Sequence, residues 1–377
     1  MLMHFLRKAA KSILVISNSL FAMAMIVGAY GGWLNPSTYW FTGYFTLALF
    51  YLLLINAGFL FFWLMTRPWL SLLSLVTIIL CWGPVTQVLP PRLSASFEQE
   101  KKPANLRVMS WNVEHFDILE HKTHPERKQE MIDVINEYAP DIACFQEMVA
   151  SDSFPSAINY LPEFSQAMHL PFVHFSFNPK LDFDHKHHFG IITFSKYPVI
   201  NSRTISYRPN DYNSIFQYAD IVRATDTFRV FNIHLQSLRF SGDNRKYIED
   251  PSIKDETDLE RSKSVINKFR KGFLKRYRQS DRIREEIDQS PYPVIVCGDL
   301  NDVPNSYAYN HIGRGLRNAF VEKGVGTGRT FYSISPTLRI DNIFTDKRFS
   351  VEQYIRIRRK LSDHYPIIAD LHYAPVE

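Results

Sequence analysis

Asp299 and Asn301 stand two apart in the run Cys297-Gly298-Asp299-Leu300-Asn301-Asp302, directly after the apolar stretch Val294-Ile295-Val296. On an extended backbone alternate side chains share a face, so this spacing predicts a carboxylate and an amide in one pocket, with Gly298 allowing close backbone approach. Four other clusters carry comparable chemistry. Asn112, in Ser110-Trp111-Asn112-Val113-Glu114, and Glu147, in Phe145-Gln146-Glu147, offer hard oxygen donors of the kind Mg²⁺ prefers, although each taken alone better fits a strand-end hydrogen-bonding role. His364 lies in Ser362-Asp363-His364-Tyr365-Pro366. An imidazole beside carboxylates suits proton transfer or the stabilisation of a negatively charged phosphoryl group, and needs a carboxylate to fix its tautomer. Asp341, in Arg339-Ile340-Asp341-Asn342-Ile343, is the candidate partner, and His234, closing Phe231-Asn232-Ile233, is a second imidazole.

The elements that must position these residues read as a layered α/β protein, in which sites collect at strand ends. Strands are expected over Arg107 to Val113, Asp141 to Gln146, Gly190 to Ser195, Phe228 to Leu235, Val294 to Cys297, Ile340 to Phe344 and Ile367 to Leu371. A helix is expected from Pro125 to Tyr138, with Met131, Ile132, Val134, Ile135 and Tyr138 on one face. A second, basic helix from Arg261 to Arg284 carries Ile266, Phe269, Phe273, Tyr277 and Ile283 as its apolar stripe, its Lys and Arg residues forming a solvated face or contacting anionic groups.

Taken in order, Trp-Asn-Val, Gln-Glu, Asn-Ile-His-Leu, Gly-Asp-Leu-Asn, Ile-Asp-Asn-Ile and Ser-Asp-His-Tyr-Pro resemble the endonuclease/exonuclease/phosphatase superfamily from about Leu106 to Leu371. That superfamily includes pancreatic-type deoxyribonuclease, abasic-site endonucleases, sphingomyelinases and inositol-phosphate phosphatases. The resemblance implies a four-layer α/β sandwich, two packed β-sheets flanked by helices. It also implies hydrolysis of a phosphate ester with Mg²⁺ (or Mn²⁺). By the same resemblance Glu147 and Asn112 would hold the metal with Asp363 supporting it, and Asp299 would activate water, assisted by Asn301. His364, oriented by Asp341, would stabilise charge at phosphorus, and His234 would help the leaving group. Glu114 stands where some relatives have Asp and is a further metal candidate, reaching through water. The run His185-Lys186-His187-His188 reads as a solvated loop, the alternative being contact with substrate phosphate or a transition metal; His121 and His124 read as loop and helix-start residues.

The 377 residues average 46% hydrophobic and 21% charged, but the average hides a division. No Asp, Glu, Lys, Arg or His occurs between Ser12 and Thr66, or between Pro68 and Pro91. Three transmembrane helices fit these first 91 positions, Ser12 to Leu34, Tyr39 to Met65 and Trp69 to Leu89; a cleaved signal peptide would account for only the first. Trp33, Tyr39, Trp40, Trp63 and Trp69 are expected at the interfaces. Arg7, Lys8, Lys11 and Arg67 place their ends of the spans in the cytoplasm, so three spans deliver the rest of the chain to the extracytoplasmic side. Residues 92–105 read as a linker and 106–377 as the catalytic domain. The formal charge of +5 includes those four cations, so the remainder carries +1, too little for bulk attraction to polyanions. A lipid head group or small phosphorylated compound is therefore the favoured substrate, a membrane-anchored nuclease acting on DNA or RNA the alternative, and a non-catalytic binding module the third reading. Cys81, Cys144 and Cys297 suit core packing.

Overall fold

A computed structural model describes residues 2–153, 157–179, 182, 184–206, 215–238 and 256–374. The chain divides into two compact units, Met1–Pro91 with Val303–His311, and Arg92–Asp302 with Ile312–Glu377.

In the first unit two helical stretches, Met3–Trp33 and Leu49–Thr66, are long and apolar enough to cross a membrane, which is compatible with membrane anchoring. The third expected span is two helices, Ser71–Leu80 and Trp82–Val88, with a 65° bend at Cys81. Pro84 accounts for the break: it has no N–H for the Leu80 carbonyl and its ring crowds that oxygen. The Tyr30 hydroxyl donates to the released oxygen at 2.5 Å. The second expected span is interrupted too, with Thr42–Leu47 ending at Ala48 before Leu49–Thr66 begins. Ser74 Oγ donates to Asn18 Oδ1 at 2.9 Å, and Asn56 Nδ2 to the Phe21 and Leu52 carbonyls, so buried polar groups join neighbouring helices. Trp63 is buried within this unit.

The second unit contains the strands β1 (Asn105–Asn112), β2 (Ile142–Ala150), β3 (Phe172–Phe177), β4 (His188–Ser195), β5 (Val199–Ser206), β6 (Ile215–Arg223), β7 (Asp226–His234), β8 (Val294–Asp299), β9 (Arg317–Asn318), β10 (Asp341–Thr345), β11 (Phe349–Arg356) and β12 (Ile367–Tyr373). They form two six-stranded sheets, β11-β12-β1-β2-β4-β3 and β5-β6-β7-β8-β10-β9. Alternation along β1 serves two layers. Leu106 and Val108 join Val230, Ile295 and Cys297 in the core between the sheets, whereas Met109 and Trp111 pack with Met131 and Ile135 of the helix Arg127–Tyr138. With helices outside the paired sheets, this is the expected four-layer sandwich. Pro125 precedes that helix instead of sitting in its first turn. All three cysteines are free and buried.

Strands β3, β5, β6, β9 and β11 lie outside the expected runs. β5 is largely exposed, and β6 carries buried Gln217 and Asp220, so neither shows a clean apolar pattern. Residues 97–101, within the expected linker, are held on the second unit. Phe97 packs on Tyr138 and under Arg107, with Glu98 N donating to Gln353 Oε1 at 2.9 Å. The basic helix runs further than expected, Glu256–Asp288, and its faces differ from the expectation. Ile266 is 47% exposed, whereas Arg276 and Arg284 are buried beside Phe273 and Ile283. Burial is tolerated because Arg276 Nε pairs with Asp302 at 2.9 Å and Arg284 donates to the Ile312 and Arg314 carbonyls.

Candidate active site

Strand register gathers three of the candidate residues. β7 and β8 are parallel with His234 beside Asp299, and β8 and β10 are antiparallel with Asp341 beside Asp299. Gly298 permits this: at φ +144 it lies so close to β7 that a Cβ would fall 1.9 Å from the Ile233 oxygen. From the facing sheet β1 brings Asn112, whose Nδ2 lies 3.3 Å from Asp299 Oδ2. A buried amide bridge ties the sheets here, Gln146 Nε2 donating to Asn232 Oδ1 at 2.8 Å while Asn232 Nδ2 donates to the Phe145 and Ile192 carbonyls.

Asp299, 1% exposed, is the centre of this arrangement. Its Oδ2 lies 3.7 Å from His364 Nε2 and 3.8 Å from His234 Nε2. Burial and the neighbouring Asp341 charge raise its pKa, opposed by the two histidines. His364 Nδ1 donates to Asp341 Oδ2 at 2.8 Å. Burial works against charge on this imidazole, but Asp341 and Asp299 overcome it and hold the ring protonated well above its ordinary range. Thr330 Oγ1 accepts from the backbone N–H groups of Ile340 and Asp341, Trp111 Nε1 donates to the His364 carbonyl at 3.0 Å, and Ser362 Oγ donates to the Asn112 carbonyl at 2.6 Å. These three supports were missed by the sequence reading. Ser362 and Trp111 lie inside motifs already singled out, but Thr330 has no local signal.

Two local expectations are corrected. Asn301 does not continue an extended strand. It has φ +48, and its N–H donates to Asp299 Oδ1 at 2.6 Å, a side-chain turn that brings its Nδ2 within 3.2 Å of Asp299 Oδ2. Glu147 does not follow a strand end but lies within β2, at φ +55, where the pairing with β4 shifts register between Phe145 and Met148. The bulge turns the carboxylate toward Asn112 and His234, with Oε1 3.5 Å from His234 Nε2. Its pKa is pushed up to about 7 by burial, with Asp363 and Asp299 adding like-charge repulsion.

Glu114 opens a turn in which Glu114, His115, Phe116 and Asp117 all have positive φ. Its Oε2 accepts from Asp363 N at 2.9 Å, and burial and the Asp363 charge raise its pKa. Asp363 thus repels both Glu114 and Glu147, and Glu147 bonds the Asn112 amide; hard oxygen donors held against like charge are the chemistry a divalent cation satisfies. A second grouping, Asp299, Asp341 and His364, offers three donor atoms within 4.8 Å of one another. As a ligand set it fits less well, because a protonated imidazole bonded to Asp341 has no lone pair to give.

His187, His188, His121 and His124 have bonding partners outside this assembly. His187 and His188 bond Asp184 and Asp182 at 2.8 and 2.9 Å, and His188 stacks on Phe177. His121 bonds the Ile118 carbonyl, and His124 lies 3.6 Å from Glu126.

Among solved structures, the catalytic domain of human Nocturnin with bound sulfate is similar at TM-score 0.50 and 18% identity, over 75% of this chain and 98% of that one. Endonuclease/exonuclease/phosphatase proteins from Bacteroides vulgatus and Bacteroides thetaiotaomicron give TM-scores of 0.49 at 18% and 17% identity, over 72% and 73% of this chain and 99% and 100% of theirs. At 18% identity the likeness to the Nocturnin domain shows the fold alone. No curated protein matches the chain. Residues 11–88 match a model described as a domain of unknown function. Residues 109–364 match the model of the Endonuclease/Exonuclease/phosphatase family, which includes metal-dependent phosphoesterases and nucleases and spans every candidate residue described above. On that match over more than half its length, the chain belongs to the endonuclease/exonuclease/phosphatase family.

Proposed function

We propose that this chain hydrolyses a phosphate ester or phosphodiester, on a lipid head group or a small phosphorylated compound, by metal-assisted attack of water. The observation that carries the reading is the pairing of opposites across the pocket: a buried carboxylate, Asp299, 3.7 Å from a protonated imidazole that Asp341 holds in place. Asp299 takes the proton of the attacking water, its raised pKa making it a better base than an exposed aspartate. Asn301 and Asn112 orient Asp299 through their amides. His364 donates to the phosphoryl oxygens as charge develops on them, and His234 supports the departing oxygen. Glu147 and Asn112, with Asp363 and Glu114 beside them, would hold Mg²⁺ or Mn²⁺, which when bound neutralises phosphate oxygens.

Metal binding should then depend on pH with a defined sign. Glu147 takes up a proton below about 7 in the folded chain but only below its ordinary 4.5 when unfolded, so a metal must displace that proton across this interval. Mn²⁺ affinity, measured by calorimetry, is expected to fall about tenfold per pH unit below about 7 and to level off above it. Affinity that is flat through the interval removes Glu147 from the metal set.

The reading itself is tested with the full-length chain in detergent, Mg²⁺, and a panel of sphingomyelin, inositol phosphates, DNA and RNA. Turnover that chelation abolishes and Mg²⁺ restores is expected, with little salt dependence; no turnover of any panel member counts against it. The nuclease reading is kept alive by the long helix, since Lys275 and Gln279 bond Gln236, two residues beyond His234. Arg276 and Arg284 are occupied internally, however, and activity falling steeply with salt is the result a nuclease requires. Arg7, Lys8, Lys11 and Arg67 support an extracytoplasmic catalytic unit if the bent helix pair counts as one span.

A further inference from the structure

The chain running into the Ser-Asp-His motif reads Arg356-Ile357-Arg358-Arg359-Lys360-Leu361. Of its four cations, Arg359 alone has a carboxylate partner among the described residues, Glu137 at 2.5 Å. Arg356 uses Nη1 on the Arg329 carbonyl and has no hydrogen-bond partner for Nε among the described residues. Its guanidinium lies 5.5 Å from the Tyr365 ring centre, and Lys360 Nζ lies 5.2 Å from that of Tyr332. The two tyrosines face each other at 5.3 Å. Burial first, and then like charge from Arg358 and Arg329, make Arg356 harder to protonate, so each of these two guanidinium groups repels it. Arg358 and Lys360 are exposed.

This strip adjoins the candidate active site without taking part in it. Tyr332 N donates to the Asp363 carbonyl at 3.3 Å, Tyr365 follows His364 directly, and the Tyr332 phenol feels the charges of Glu114 and Asp363. Cations held on tyrosine faces with no carboxylate paired to them among the described residues cost stability unless an anion joins them, and planar guanidinium forks match phosphate oxygens. Contact with the site makes the substrate itself the natural source of that anion.

We infer that Arg356 and Lys360, carried on the Tyr332–Tyr365 pair, form with the neighbouring exposed Arg358 a subsite for a second, non-scissile phosphate group of the substrate. The inference rests on the phosphoesterase reading above and narrows it to substrates bearing at least two phosphates.

The test uses the full-length chain in detergent with Mg²⁺ and two substrates differing in one group: the p-nitrophenyl phosphodiester of thymidine, with and without a second phosphate on the other sugar hydroxyl. Wild type is expected to prefer the bisphosphate about tenfold in kcat/KM, and Arg358→Ala/Lys360→Ala to lose that preference while keeping its rate on the simpler ester. A preference unchanged in the double variant overturns the subsite. If wild type turns over neither ester, the substrate panel above decides the phosphoesterase reading, and the subsite is judged by thermal shift with inorganic pyrophosphate in metal-free buffer. There, binding about fivefold weaker in the double variant supports it and equal binding overturns it. Competition by a phosphoinositide bisphosphate in phosphatidylcholine vesicles, against its free headgroup, identifies the source. Stronger inhibition by the vesicle form assigns the subsite to a lipid, stronger inhibition by the free form assigns it to a soluble compound, and inhibition by neither overturns it.

Discussion

Replacing Asp299 with Asn is expected to lower kcat by about 10³-fold while changing the unfolding free energy by less than about 1 kcal/mol. The catalytic loss follows from its position. It is the one candidate side chain in reach of Asn112, Asn301, His234 and His364 together, so no neighbouring group can take its place as base. The small stability effect follows from a balance. An amide keeps the oxygen that accepts from Asn301 N and removes a buried charge that Asp341 repels, but it gives up attraction to the two imidazoles. Steady-state kinetics together with a denaturant titration check both halves. A folded variant with near-native turnover would refute the assignment of Asp299 as base.

His364→Ala should reduce kcat by a similar factor, about 10²- to 10³-fold, but with the opposite outcome for stability. Removing the imidazole leaves Asp341 and Asp299 buried side by side without their shared cation, which should cost about 3 kcal/mol. The sign with pH follows from linkage. His364 is held protonated above its unfolded range, so its contribution is fully present below about 6.5 and is lost as pH rises through the higher folded value. The stability gap between wild type and variant should therefore close at alkaline pH, which melting curves over a pH series can follow. A gap that widens with pH would mean the ring is buried neutral, and the charge-stabilising role would go with it.

These contrasting results reflect how differently the site could be read in advance. Asn112, His234 and Asp299 close their strands and Asp341 opens its own, so the motifs mark strand ends, where polar side chains face a shared site. The local geometry was less accessible. Asn301 and Glu147 both depend on positive φ, which neither residue type announces, and which a side-chain turn and a register shift impose. The basic helix misled in a similar way. A count of Lys and Arg predicts a solvated face, but Arg276 turns inward because Asp302 and the Gln236 carbonyl wait for it there.

The amino-acid order alone therefore determined the apolar character of the first 91 residues, the layered α/β character and the identity of the chemical groups, since these depend on apolar runs and motifs that are local in the chain. Only the tertiary structure decided which groups meet. Asn112 and Asp299 are 187 residues apart, Trp111 and His364 are 253 apart, and Thr330 supports Asp341 without any motif of its own. The same is true of the cations around Tyr332, which a linear reading passes over. Such contacts are set by strand register and sheet packing, in which a one-residue slip would turn each side chain to the opposite face.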